Sequence, residues 1–322
     1  MTARRVRAVL LEAEHLAYGA SGRNAGFLLA GTSENYAAAV ARHGREVARH
    51  AWDFSVETHR RLAEALAGRV SYRRAGSITL AASPEEARQL EASADLLRDE
   101  GIAARFEEGA LLKPEDGELD PAAAVAALAA DCPAGSIFEG VALTALDDPP
   151  LRAERIVLCT NGYTSRLVPA VPIEPKRAQM VATAPDPRRI AERPTYSDFG
   201  YRYWRQLPSG EVLCGGWRNL APEEEVGFEQ TPTPRIQAAI EAGVRALGSA
   251  APVTHRWAGT MGFTPDGLPL VGEVASRPGV YLCAGYTGHG MAFAFNCARA
   301  LAAHLTGGAQ PPKWMVTGRF SL

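Results

Sequence analysis

Only five cysteines occur in 322 residues (Cys132, Cys159, Cys214, Cys283 and Cys297), an odd number with no CxxC pair among them. Such spacing argues against a structural zinc site and against a secreted disulfide framework, and it fits a reducing cytoplasm. No charge of one sign prevails: 34 Lys and Arg face 36 Asp and Glu, a formal net charge of −2. A broad nucleic-acid surface and a charged disordered tail are thereby excluded. No apolar stretch reaches the roughly 18 residues of a membrane helix, and Ala8 to Leu11, behind three arginines, is too short for a signal peptide. Glycine is missing from the 11 residues that precede Glu12.

What remains is a globular chain with 47% hydrophobic and 22% charged residues. At roughly 100–200 residues per domain, this length predicts about two domains. The expected partner is a small molecule, with no nucleic acid and no membrane span. Val6 to Leu11 reads as a buried strand ending at Glu12, followed by a loop with Gly19, Gly22, Gly26 and Gly31. Ser33 to Leu66 reads as a helix, as do Pro84 to Glu100, Pro121 to Ala130 behind the cap Asp120, Pro234 to Leu247 and Gly290 to Leu305. Strands are expected at Ser77 to Ala81, Ile137 to Leu146, Leu151 to Cys159, Ala178 to Ala182, Tyr201 to Leu207, Val212 to Gly216 and Val280 to Ala284.

This order implies an α/β nucleotide domain interrupted by an α+β substrate domain built on an antiparallel or mixed sheet. The expected divisions are 1–71, 115–168 and 258–322 for the first, with 72–114 and 169–257 for the second.

Three constellations can carry chemistry. The first joins Val9-Leu10-Leu11-Glu12 to Gly19-Ala20-Ser21-Gly22-Arg23-Asn24-Ala25-Gly26. An acid at a strand tip accepts hydrogen bonds from ribose hydroxyls, and small residues let backbone approach a cofactor; taken alone, Glu12 reads as a solvated strand-end glutamate. The second is Cys159-Thr160-Asn161-Gly162-Tyr163-Thr164, which lies against a cofactor or forms an ordinary Asn-Gly turn. The third runs from Trp257 through Gly259, Met261 and Thr264-Pro265-Asp266-Gly267 to Gly272, then Ala284-Gly285-Tyr286-Thr287-Gly288-His289-Gly290-Met291. A strand, a glycine turn and a helix start gather unpaired N–H groups, which suits an electron-rich ring edge. His289 either serves that site or caps its helix, and no metal spacing surrounds it.

Together the strings GASGRNAG, TNGYT, TPDGLPLVG and AGYTGHGM resemble the FAD-dependent amine and amino-acid oxidoreductases of the D-amino-acid oxidase type, which include glycine, sarcosine and γ-glutamylputrescine oxidases. The resemblance runs from about Val6 onward. It implies that Glu12 holds the adenosine ribose, and that Ala20, Ser21, Asn24, Ala25, Gly26 and Phe27 line the flavin and its linker. It further implies that Thr160 and Gly162 pass beside the cofactor, with Gly259, Gly285, Gly288, His289, Gly290 and Met291 at the flavin. The implied reaction is oxidation of an amine or amino acid to an imine by hydride transfer to FAD, with oxygen or an electron-transfer partner as acceptor. The catalytic residue, the precise substrate and the oligomeric state are left open.

The chain departs from this pattern in three places. The family's GxGxxG turn, about 20 residues before the ribose acid, has no counterpart here, so the dinucleotide domain reads as N-terminally truncated. Arg4, Arg5 and Arg7 are read as a flexible basic end in preference to weak substitutes for its phosphate donors. The stretch between Ile137 and Ile156 is also short. Finally, the arginines that clamp a substrate carboxylate in glycine-oxidase-like relatives correspond to Met261 and Gly288. Tyr201, Tyr203 and Arg205 then remain as substrate-binding candidates beside Met261, forming either a pocket wall or an aromatic core face with a salt-bridged arginine. Two alternatives follow from the missing turn: an FAD-free paralogue acting as a binding partner, and a split flavoprotein completed by a second chain. Cys283 and Cys297, close to the flavin segments, are read as buried thiols in preference to attachment points for the cofactor.

Overall fold

In the computed structural model, residues 6–320 are described; Arg4 and Arg5 lie outside them. The dominant element is an eight-stranded mixed sheet. Its longest strand, Glu174–Pro185, is antiparallel to Val253–Phe263 on one side and Glu211–Gly216 on the other. The sheet continues through Arg202–Gln206, Thr195–Ser197 and Ser77–Leu80 to Ala110–Lys113 and Arg105–Glu107. One pairing there, Thr195–Ser197 with Ser77–Leu80, is parallel.

Against the middle of this sheet lies the helix Pro234–Ala246, whose Ile236, Ile240 and Val244 pack on Val181, Trp204 and Cys214. Burial of these side chains at roughly 25 cal/mol per Å² drives the docking. Beside Val181, Arg177 and Gln179 share the same strand face by alternation. Arg177 is held by Glu225 (Nη2 to Oε1, 2.7 Å), and Gln179 donates to the same oxygen at 2.8 Å.

The rest of the chain forms three small sheets. Leu10–Leu11 pairs in parallel with Ile137–Phe138. Ile156–Leu158 runs parallel to Val280–Ala284, which is antiparallel to Leu270–Glu273. Phe27–Leu28 and Tyr72–Arg73 flank Gly117–Leu119. The helices Arg45–Leu66 and Gly290–Leu305 cover one side, burying Ala51, Cys297, Phe293, Leu301 and Met315 in a common core. The fold is thus mixed α/β, as the sequence implies.

Several expected elements are altered. Val6 to Leu11 is strand only at Leu10–Leu11, and Ile137 to Leu146 and Leu151 to Cys159 reduce to Ile137–Phe138 and Ile156–Leu158. Each short pair has one neighbour to bond with, so the ladder does not propagate. The helix expected over Ser33 to Leu66 is two, Tyr36–His43 and Arg45–Leu66, because Gly44 takes φ +80°, a conformation no helix contains. Pro84–Asp99 and Pro121–Ala129 match their expected spans, with Ser83 and Asp120 side chains accepting the Glu86 and Ala123 N–H groups. Val253–Phe263 runs unbroken across the expected domain division at residue 257/258.

Candidate functional site

Four segments far apart in sequence meet along one edge of the large sheet. The helical turn Ala20–Arg23 packs on the strand Val253–Phe263: Arg23 donates from Nη1 to the Ala258 carbonyl at 2.8 Å, and Trp257 Nε1 donates back to the Arg23 carbonyl at 2.8 Å. A Cβ on Gly259 would stand 3.3 Å from the Arg23 Cβ, so glycine permits this approach. Asn24 braces the turn, donating to the Ala20 and Ser21 carbonyls and accepting the Gly26 N–H at 2.7 Å. Ser21 is exposed and Ala25 half-buried. Gly26, at φ +76°, lies directly beneath the Leu119 carbonyl and the Arg205 guanidinium.

The Asn161–Tyr163 turn lies against the same strand. A Cβ on Gly162 would come within 2.7 Å of the Met261 carbonyl, while Asn161 Oδ1 accepts the Gly285 N–H at 3.0 Å. Thr160 bonds Thr164 through their hydroxyls at 2.9 Å. At the last glycine turn Gly288 has φ +82° and is exposed, its nearest neighbour being Met261 Sδ, 3.7 Å from where a Cβ would stand. The helix that follows begins at Gly290, so the Gly290 and Met291 N–H groups have no intrahelical acceptor. The Met291 side chain packs in the core with Leu28, Leu62 and Leu66. Glu12, at the tip of the parallel pair, is half-buried and accepts the Glu14 N–H at 3.0 Å.

His289 makes no cap hydrogen bond. Its ring stacks on Tyr196 at 6.0 Å between centroids, with Nδ1 3.3 Å from the Gly31 carbonyl. Burial, together with the Lys113 charge, lowers its pKa to about 4, so it is neutral at pH 7. It lines a cavity of about 300 Å³ with Trp52, Lys113, Tyr196 and Phe199, where the Lys113 ammonium is paired with Asp116 at 2.9 Å.

On the substrate side, Phe27, Tyr196 and Tyr203 form a ring cluster with centroids 5.4–6.3 Å apart. Burial pushes the Tyr196 and Tyr203 phenols up, keeping both protonated. Arg205, on the Tyr203 face, donates to the Leu119 carbonyl at 3.1 Å and faces Glu118 at 3.8 Å. Its guanidinium pKa is lowered by burial, an effect that Glu118 opposes. Tyr201 lies outside the ring cluster, beneath the Arg218 guanidinium. Arg218 was not signalled by any motif; its neighbour Trp217 has φ +60°, which a linear reading does not reveal. Cys283 and Cys297, the latter on the inner face of the Gly290–Leu305 helix, are buried in a common core.

These residues fit the flavin half of FAD. The open glycine turn at Gly288, the two N–H groups without helical acceptors and the positive helix end at Gly290 lie within four residues of one another, which suits an electron-rich ring edge. Among the described residues no cluster of metal-ligating side chains is present, and no helix is long and apolar enough to cross a membrane.

The fold is that of the D-amino-acid oxidase class. The family described as FAD dependent oxidoreductase (DAO) matches residues 1–304, and the chain belongs to it. The 4-methylaminobutanoate oxidase (formaldehyde-forming) of Paenarthrobacter nicotinovorans is 25% identical over 96% of this chain and 40% of its own length. The glycine oxidase of Pseudomonas aeruginosa is 26% identical over 49% of this chain and 43% of that protein. The chain thus spans about two-fifths of the length of these curated relatives. Among solved structures, the glycine oxidase of Geobacillus kaustophilus superposes with a TM-score of 0.76 at 20% identity, covering 97% of this chain and 90% of that one. The L-amino acid deaminase of Proteus vulgaris gives a TM-score of 0.76 at 15% identity, over 98% and 92%. These two likenesses establish the fold.

Proposed function

We propose that the chain is an FAD-dependent oxidoreductase that converts the C–N bond of a small amine or amino acid to an imine, which water then hydrolyses. The observation that carries this reading is the meeting of Ala20–Phe27, Thr160–Gly162, Gly259–Met261 and Gly285–Met291 along one sheet edge. Bound FAD would supply the two-electron acceptor.

The protein's share is position and electrostatics. Glu12 offers its carboxylate to ribose hydroxyls. The backbone from Gly288 to Met291 and the helix behind it favour negative charge at the cofactor's edge. Phe27, Tyr203 and Met261 wall the substrate space and keep water from the reacting carbon. Tyr203 stays protonated and His289 neutral, so neither adds charge to that space. A substrate amine needs only to arrive deprotonated, and no side-chain acid or base is required. The terminal acceptor is oxygen or an electron-transfer partner, and the cytoplasm is the expected compartment. The relatives lend no support to an FAD-free binding role.

Reconstitution with FAD followed by gel filtration tests the reading. The expected outcome is a protein fraction with flavin absorbance near one equivalent. A folded protein that leaves all added FAD in the small-molecule fraction refutes it.

A further inference from the structure

Arginines and lysines near the substrate face are almost all committed. Arg205 is held by Leu119 and Glu118, Arg23 by the Tyr18 and Ala258 carbonyls, Lys176 by Glu174 at 2.7 Å and Arg202 by Asp198 at 3.2 Å. Arg218 is different. Among the described residues no carboxylate lies within 4.0 Å of it and its guanidinium donates no hydrogen bond to protein, yet it is held in place. Its central carbon lies over the Tyr201 ring at 4.4 Å and over the Phe263 ring at 4.8 Å.

The position follows from backbone conformation. The strand Glu211–Gly216 ends in Gly216 at φ +117° and Trp217 at φ +60°, a reversal after which Trp217 packs under the Pro234–Ala246 helix. Arg218 emerges on the opposite face. Phe263 and Met261 are two apart on one strand and so share a face, and Met261 Sδ in turn reaches toward Gly288. Tyr203 senses the same guanidinium, whose charge favours its phenolate against the effect of burial. The half-buried Arg218 therefore stands on the wall formed by Tyr201, Tyr203, Met261 and Phe263.

Contact with ring faces satisfies the flat sides of a guanidinium and leaves its in-plane N–H donors free. A fork so held matches the two oxygens of a carboxylate. Resting on the proposed oxidation of an amine or amino acid, we propose that Arg218 binds a carboxylate carried by the substrate, and so selects amino acids over simple amines.

Propionate and propionamide, equal in shape and different in charge, are the probes. Each is titrated by ligand-observed NMR into the purified full chain, its R218Q variant and its R218K variant, with FAD uptake recorded separately for each protein. The expected result is at least tenfold tighter binding of propionate in the parent, no preference in R218Q and a reduced preference in R218K, where a point charge replaces the fork. A purely packing role would lower the Tm of R218Q while leaving the propionate-to-propionamide ratio unchanged, and that result overturns the proposal. So does a parent protein with no preference. Uptake of FAD without carboxylate preference refutes the role of Arg218 alone. Carboxylate preference, lost in R218Q, in a protein that takes no FAD sustains the anion site and refutes the oxidoreductase reading.

Discussion

The large sheet and the three small ones solve different problems. In the large sheet, Glu174–Pro185 is paired along both edges and buried on both faces, and the strands around it present side chains: Tyr203, Met261, Phe263 and, in the turn just after a strand, Arg218. In the small sheets, strands run two to five residues, and the groups that converge are backbone amides at glycine turns. In the proposed function, side chains fixed on a continuous ladder would read the substrate, whereas backbone that short elements and positive φ angles bring close would hold the cofactor.

The sharpest way to break this comparison is at the buried Arg177–Glu225 pair beneath the large sheet, both members of which are nearly excluded from solvent. Arg177→Met removes the cation from the buried Glu225 carboxylate and leaves it only the Gln179 amide as a side-chain partner, and should cost about 3–5 kcal/mol, read as a lower urea midpoint. A loss under about 1 kcal/mol would mean that the large sheet does not depend on this network.

His59, in the helix Arg45–Leu66 that covers the small sheets, tests the other half. It is 5% exposed and its Nε2 has no hydrogen-bond partner. Burial lowers its pKa from 6.5 to about 4. The folded protein keeps it neutral while the unfolded chain protonates it near 6.5, so its stabilising effect is complete above that pH and is lost as pH falls toward 4. The loss should reach about 3 kcal/mol. Stability measured at pH 7 and pH 4 should therefore fall less in His59→Leu than in the parent by this amount; equal falls would show that the site hydrates on acidification.

The smallest expected effect is at Asp120, whose side chain accepts the Ala123 N–H at 3.0 Å at the start of Pro121–Ala129. Asp120→Ala should cost about 1 kcal/mol. Hydrogen exchange should speed up in that helix and leave Glu174–Pro185 unchanged; faster exchange in both would couple the two regions more closely than their separate ladders suggest.

Much of the helical structure is legible in the chain, because caps and stops are local. Ser83 before Pro84, Asp120 before Pro121 and Gly101 after Asp99 act within one turn. The long strand is legible only at Ala178 to Ala182, since a strand buried on both faces loses its alternation. The short parallel pairs are overestimated, because β-propensity says nothing about how many neighbours a strand finds. In the site, the glycine turns and their small neighbours are visible as strings. Arg218 is not, because what distinguishes it is a missing partner and two rings, one of them Phe263, far along the chain.

The order of residues by itself determined the α/β class, the capped helices and the glycine turns proposed to hold the flavin, since these depend on spacing and on conformations that glycine alone permits. Tertiary structure alone decided which cations are spent and which is free. Arg205 and Arg218 are the same residue type, thirteen positions apart, and only their three-dimensional neighbours, a carboxylate for one and two aromatic faces for the other, separate a structural ion pair from an open anion site.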